Sequence, residues 1–197
     1  MANQDAAFGL RPLKTVGQQD DSTGMSSYNI SPGDASVIFQ GSLVGSPATG
    51  TGYVDLQTAG LVLNLGAFWG TFYNDPTTLK PTFKNYYPGS VTPPNGGAVE
   101  AFVYDSPAQM YEIQSDNAGA SAQTDIFKCA DLAGTSGSTL NGVSSMELGD
   151  STLGTTGQFK IIGVSRDPEN NDLGSANVNW RVMLNESLLG SGTAGAA

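Results

Sequence analysis

The stretch Ala176-Asn177-Val178-Asn179-Trp180-Arg181-Val182-Met183-Leu184-Asn185 decides the fold class. Ala176, Val178, Trp180, Val182 and Leu184 share one parity; Asn177, Asn179, Arg181 and Asn185 share the other, with Met183 the exception. A period of two marks a strand with one face buried and one face wet. Upstream, Phe159-Lys160-Ile161-Ile162-Gly163-Val164 is apolar on both faces apart from Lys160, which predicts a central strand. Val99 to Tyr104 and Met110 to Gln114 predict a hairpin about Asp105-Ser106-Pro107, and Leu61 to Leu65 with Ala67 to Tyr73 a second pair about Gly66. Only Ala122 to Leu132 suits a short helix, which Gly134 would end.

Turn chemistry punctuates the rest. Ser31-Pro32-Gly33, Gly45-Ser46-Pro47, Asn74-Asp75-Pro76, Pro88-Gly89 and Pro93-Pro94-Asn95-Gly96-Gly97 separate short β-favouring runs. Glycine supplies positive φ and proline presets turn geometry, so the spacing predicts many short antiparallel strands. The expected fold is mainly β, an antiparallel β-sandwich or β-barrel with at most a short helix. Residues 1–25 have neither period and predict an extended N-terminal arm that orders only against something else. Residues 26–189 form the β-rich body, with a composition shift near Asn117 that permits two subdomains, and residues 190–197 a flexible tail.

Composition narrows the function. The 197 residues carry 18 acidic and 8 basic side chains, a formal charge of −10, with no basic residue between Lys14 and Lys80. Phosphate backbones are bound by Lys and Arg that displace counterions, so a nucleic-acid partner is not expected, nor an anionic membrane surface. Histidine is absent, which removes Ser-His-Asp and Cys-His chemistry, imidazole ligands and histidine pH switching. Cys129 is the single cysteine, excluding an intrachain disulfide and a thiolate zinc cluster, and its apolar setting predicts a buried, inert thiol. The start has no secretory pattern and no apolar run has the length of a membrane span, so the expectation is a soluble protein made in a cytoplasm.

The tempting motifs are weak. Gly190-Ser191-Gly192-Thr193-Ala194-Gly195 matches a dinucleotide fingerprint but has no room for the helix that would hold a pyrophosphate. Asp167, Glu169 and Asp172 lack the spacing of a calcium loop and read as a solvated loop between two strands. Glu100, Asp105 and Glu112 could meet across a hairpin as a carboxylate pair, although most acids in such a chain face water. Trp69, Tyr73, Tyr86, Tyr87 and Trp180 are the aromatics a sugar could stack on; Trp180 falls on an apolar face and belongs in a core. No catalytic residue, cofactor site or metal site is predicted, and the chain is not expected to be an enzyme.

Several phrases together resemble the capsid decoration (cement) proteins of tailed bacteriophages. They are Ala2 to Pro12, Gly66-Ala67-Phe68-Trp69-Gly70-Thr71-Phe72-Tyr73, Tyr87-Pro88-Gly89, Ala101 to Pro107, Tyr111 to Asp116, Gly142 to Leu148, Lys160 to Asn170 and Val182 to Leu188. They span most of the chain; the Gly-, Ser- and Thr-rich run from Thr135 to Gly157 departs from the pattern. The resemblance implies a virion protein on the outer surface of the capsid. Its partners would be the major capsid protein, whose subunits it would bridge, and neighbouring copies of itself in a dimer or trimer. An arm that folds on its partner would multiply the affinity of the body. Phe8, Leu10, Arg11 and Pro12 are then the expected capsid contacts, Phe8 and Leu10 as apolar anchors and Arg11 as the fork to a capsid carboxylate. The alternative is a tail or fibre component whose β-sandwich binds a host glycan.

Overall fold

The computed structural model describes residues 3–16, 24–47 and 49–190. Among the described residues there are thirteen strands: β1 (Arg11–Thr15), β2 (Ser26–Ile30), β3 (Leu43–Gly45), β4 (Asp55–Leu56), β5 (Asn64–Asn74), β6 (Pro81–Lys84), β7 (Val99–Tyr104), β8 (Gln109–Gln114), β9 (Cys129–Ala130), β10 (Leu132–Ala133), β11 (Glu147–Leu148), β12 (Phe159–Val164) and β13 (Asn179–Leu184). Two open antiparallel sheets result, as in a β-sandwich. One has the order β1-β8-β13-β12-β9; the other has the order β2-β7-β5-β3-β4, with β6 also paired to β5. A two-stranded ribbon, β10-β11, is separate from both.

The alternating run keeps its apolar face from Val178 to Leu184. Asn177 and Asn179, expected on the wet face, are also buried, and Ala176 is only half-buried, because the strand begins at Asn179 after a left-handed Asn177. Val178, Trp180 and Val182 have no exposed surface and Leu184 is nearly covered. β12 lies between β13 and β9, an interior position, but only one of its faces is fully covered: Lys160 is exposed and Ile162 and Val164 are half-buried. The covered face of β12 and β13 joins Tyr111, Ile113, Phe159 and Ile161 in a first core, closed by Leu132, Met146 and Leu148 from the β10-β11 region and by Leu10, Leu43 and Ala67. A second core gathers Ile30, Val44, Leu65, Phe68, Val99, Ala101 and Val103 of the other sheet with Ile38, Tyr87 and Val91 from its loops. Strand alternation divides β3 and β5 between the two: Leu43 and Ala67 enter the first core, Val44 and Phe68 the second.

Four further expectations are corrected. β7 and β8 are not a hairpin: they belong to different sheets, and Asp105–Ala108 carries the chain from one to the other. Tyr28 Oη donates to Asp105 Oδ2 at 2.6 Å and Tyr111 Oη to the Tyr104 carbonyl at 2.6 Å, fixing this corner. Gly66 is not a turn either, because β5 runs through it from Asn64 to Asn74. A Cβ at Gly66 would stand 1.8 Å from the Tyr104 carbonyl oxygen, so glycine is there for close strand approach. The helix expected in Ala122 to Leu132 is reduced to a 3-10 turn, Gln123–Asp125, since Phe127 takes a left-handed φ of 74°. Asn117 divides nothing: the second sheet uses residues 26–84 and 99–104, while the first combines β1 with strands from both sides of Asn117.

The N-terminal segment lies on its own body. β1 is an edge strand paired antiparallel to β8, Arg11 opposite Glu112 and Thr15 opposite Gln109. Ahead of it, Asn3 Nδ2 donates to the Ala176 carbonyl at 2.8 Å, and the Ala6 amide donates to Gln114 Oε1 at 2.8 Å. An extended chain without internal bonds satisfies its backbone groups this way. The remainder of the predicted arm, residues 17–23, and the tail from residue 191 onward, including most of the glycine-rich motif, fall outside the described residues.

Candidate docking surface

Phe8, Gly9 and Leu10 form one corner of the surface. Gly9 has a φ of 72°, and a Cβ there would stand 2.6 Å from the Gly41 carbonyl oxygen and 2.7 Å from Ser144 Cβ. Only glycine fits that left-handed, crowded point. The kink sends Leu10 inward, where it is 1% exposed, and its amide donates to the Gly41 carbonyl at 2.7 Å. Leu10 is therefore a core residue here and is not presented to a partner. Phe8 and Pro12 stay at the surface, half-buried. Arg11 stacks its guanidinium over the Phe8 ring, 4.2 Å from the centroid, and its Nη1 donates to Glu112 Oε2 at 2.9 Å. The carboxylate that Arg11 grips is thus in its own chain.

These residues line a groove of about 250 Å³ with Gln40, Gly41, Phe68, Trp69, Tyr104 and Val143. It lies at the seam where the two sheets part. The register of β5 against β7 shows what lies beyond. Phe68 pairs with Val103 and Thr71 with Ala101, on the face that enters the second core. A bulge between Phe68 and Gly70 leaves Trp69 on the opposite face, with Phe102 and Phe72. Ala67 and Tyr104, paired with each other, start that face inside or against the first core. The face therefore begins as shared core, passes the groove and emerges as an aromatic surface.

Phe83 on β6 completes that surface. It pairs with Phe72 and lies 5.1 Å from Trp69 and 6.3 Å from Phe102, ring centroid to centroid. Phe72 is 38% exposed and Phe83 47% exposed. Tilted ring pairs at these separations hold one another rigid, which reduces the entropy lost on docking. Contiguous apolar patches of this kind mark contact sites on soluble chains. Tyr104 lines the groove, and burial pushes its hydroxyl above the usual range.

The remaining expectations distribute as follows. Tyr73 and Tyr87 are core residues. Tyr87 donates to the Asp34 carbonyl at 3.0 Å and accepts from the Val91 amide at 3.2 Å, pinning a loop. Tyr86 stacks on Phe39, with ring centroids 6.0 Å apart. Cys129 is buried and free. Asp167, Glu169 and Asp172 do lie in a loop between β12 and β13; Asn170 and Asp172 of that loop bond back to Gln4 and Asn3. Glu100 and Glu112 stand in different sheets and Asp105 on the corner between them. Among the described residues, no group of three or more Cys, Asp or Glu side chains is arranged to hold a metal ion, and no helix is long and apolar enough to cross a membrane.

Of the residues at this surface, Phe8, Arg11, Pro12 and Trp69 were singled out from the sequence, whereas Phe72, Phe83 and Phe102 were not. The available signal was Phe68 to Tyr73, which is nearly all apolar although β5 has only one fully covered face at that end. No family model, no curated protein and no solved structure matches the chain.

Proposed function

We propose that the chain is a capsid decoration protein of a tailed bacteriophage, bound to the outer surface of the head and bridging major capsid protein subunits. The observation that carries the reading is a convergence. Three of the phrases behind the resemblance, Ala2 to Pro12, Gly66 to Tyr73 and Ala101 to Pro107, meet at one surface. They supply Phe8 and Pro12, then Trp69 and Phe72, then Phe102 and Tyr104. A rigid aromatic face beside an apolar groove suits adhesion to a protein tile, and a charge of −10 suits an exterior that never meets packaged DNA. The N-terminal segment acts as one wall of the groove, already seated on the body.

The test uses heads lacking the protein, incubated with the full chain and imaged by electron cryomicroscopy. Ordered copies on the exterior are expected. The Phe72→Ser/Phe83→Ser double variant should fold normally and lose at least ten-fold in occupancy. Bare heads with the unaltered chain, or equal occupancy by the variant, would refute the proposal. The exposed rings also favour a second reading, a tail or fibre component that stacks them on host sugars. Glycan-array binding that the same double variant abolishes would favour it.

A further inference from the structure

The outer face of the β1-β8-β13-β12-β9 sheet has a charge opposite to that of the chain. Tyr111, Ile113, Trp180 and Val182 point into the core, so Glu112 and Arg181, which alternate with them, point outward. The register aligns Arg11, Glu112, Arg181 and Gly163 in one row across four strands. Arg181 Nε donates to the Val164 carbonyl at 3.0 Å. A Cβ at Gly163 would stand 2.8 Å from Arg181 Nη2, so the missing side chain lets the Arg181 guanidinium lie across β12. Glu112 is buried, and its two oxygens are taken by Arg11 Nη1 and Ser165 Oγ.

Beside this row runs a groove of about 380 Å³ lined by Leu13, Lys14, Met110, Ser165, Arg166 and Arg181. Its floor is aliphatic and its rim cationic. With Lys160, on the same face opposite Met183, five of the eight basic residues lie here: Arg11, Lys14, Lys160, Arg166 and Arg181. The one carboxylate among them in the described residues, Glu112, is already engaged by Arg11 and Ser165. Asp167 and Glu169 line the neighbouring hollow past Arg11, where Asp167 accepts from Asn179 at 3.1 Å. Among the described residues Lys14, Arg166 and Arg181 have no ion-pair partner.

We infer that this groove binds an acidic, extended segment of another protein chain, with Arg181 and Arg166 forking carboxylates and Lys14 neutralising a neighbouring one. Charge complementarity selects the occupant. Arginine matches a carboxylate bidentately, and Leu13 with Met110 accepts the aliphatic part of a Glu side chain. A continuous nucleic-acid polyanion is disfavoured because it runs past the groove onto the acidic remainder of the −10 chain, within a Debye length of about 8 Å of those charges, whereas a short acidic segment ends on the basic row. The site stands on the opposite sheet from the aromatic face and does not depend on the capsid reading.

The experiment measures fluorescence anisotropy of a labelled hexaglutamate peptide with the full chain, alongside a hexaglutamine peptide and a twelve-residue oligothymidylate. Saturable binding of hexaglutamate alone is expected, weakened several-fold between low and physiological salt. Lys14→Glu/Arg166→Glu should weaken it at least ten-fold, and Arg181→Lys, which keeps charge but loses the fork, several-fold, both with unchanged melting temperatures. Absent binding, equal binding of hexaglutamine, equal binding of the oligothymidylate, or indifference to Lys14→Glu/Arg166→Glu would each overturn the assignment.

Discussion

Asp150 is the residue whose setting conflicts most with its charge. Both its carboxylate oxygens are buried without a hydrogen-bond partner. Burial, then the neighbouring Asp116, Asp125 and Glu147 carboxylates, push it up to about 7. Glu147 is also pushed up to about 7, by burial first and then by Asp5 and Asp116. Both folded values exceed the unfolded ones of 3.8 and 4.5, so between those values and 7 the native chain holds more protons than the unfolded chain. Stability must then fall as pH rises through that window and be greatest near its acid end. Asp150→Asn should raise the melting temperature at pH 8 by about 2–4 °C and flatten the profile between pH 5 and pH 8. That gain corresponds to about 1 kcal/mol after allowance for solvent screening of half-exposed groups. Thermal melts across that range measure it, and an unaltered pH slope in the variant would contradict the account.

At the scale of elements, β1 carries the sharpest consequence. It caps the edge of β8, and just before it Leu10 plugs the first core. Removing residues 1–16 should therefore lower stability severely rather than release a free arm. Leu10→Ala alone should cost about 2–5 kcal/mol, the range for truncating a buried leucine, read from urea unfolding. A truncated body as stable as the full chain would show that β1 and Leu10 are dispensable. The same element shows what was legible in the sequence. β12 and β13 were readable because periodicity reports burial of a strand's own faces. Phe8 and Leu10 were expected as two outward anchors, and the left-handed turn at Gly9, in tertiary contact with Gly41 and Ser144, sends Leu10 inward instead. The Asp105-Ser106-Pro107 turn was legible as a turn, but turn chemistry does not encode whether the next strand pairs back or crosses to another sheet. Gly66 looked like punctuation because the approach of the Tyr104 carbonyl has no local signature. Phe83 and Phe102 reach Trp69 from strands distant in sequence, so their patch was invisible until β5, β6 and β7 were aligned.

The whole molecule has two cores but is wired as one unit. Leu43 and Ala67 belong to the first core while their neighbours Val44 and Phe68 belong to the second, and Leu56 packs against both. Neither core can melt without pulling on a strand that is half of the other. The sheet containing β1 also closes over long sequence separations, since Arg11 pairs with Glu112 only after the whole second sheet has been laid down between them. Calorimetry should therefore show a single transition with matching calorimetric and van't Hoff enthalpies. Leu43→Ala should shift it downward, by about 2–5 kcal/mol in stability, without splitting it, because the lost contacts lie in the joint itself. Phe72→Ser/Phe83→Ser, on the exposed aromatic face, should leave the transition nearly in place. Two resolved transitions in the unaltered chain would mean that β3 and β5 do not couple the cores. The docking surface would then sit across a hinge, because one wall of its groove is Phe8 and Pro12 beside the first core and the other is Phe68 of the second. Coupling of the cores is thus what keeps the groove and the aromatic face a single rigid surface, and the shape of the melting curve tests that directly.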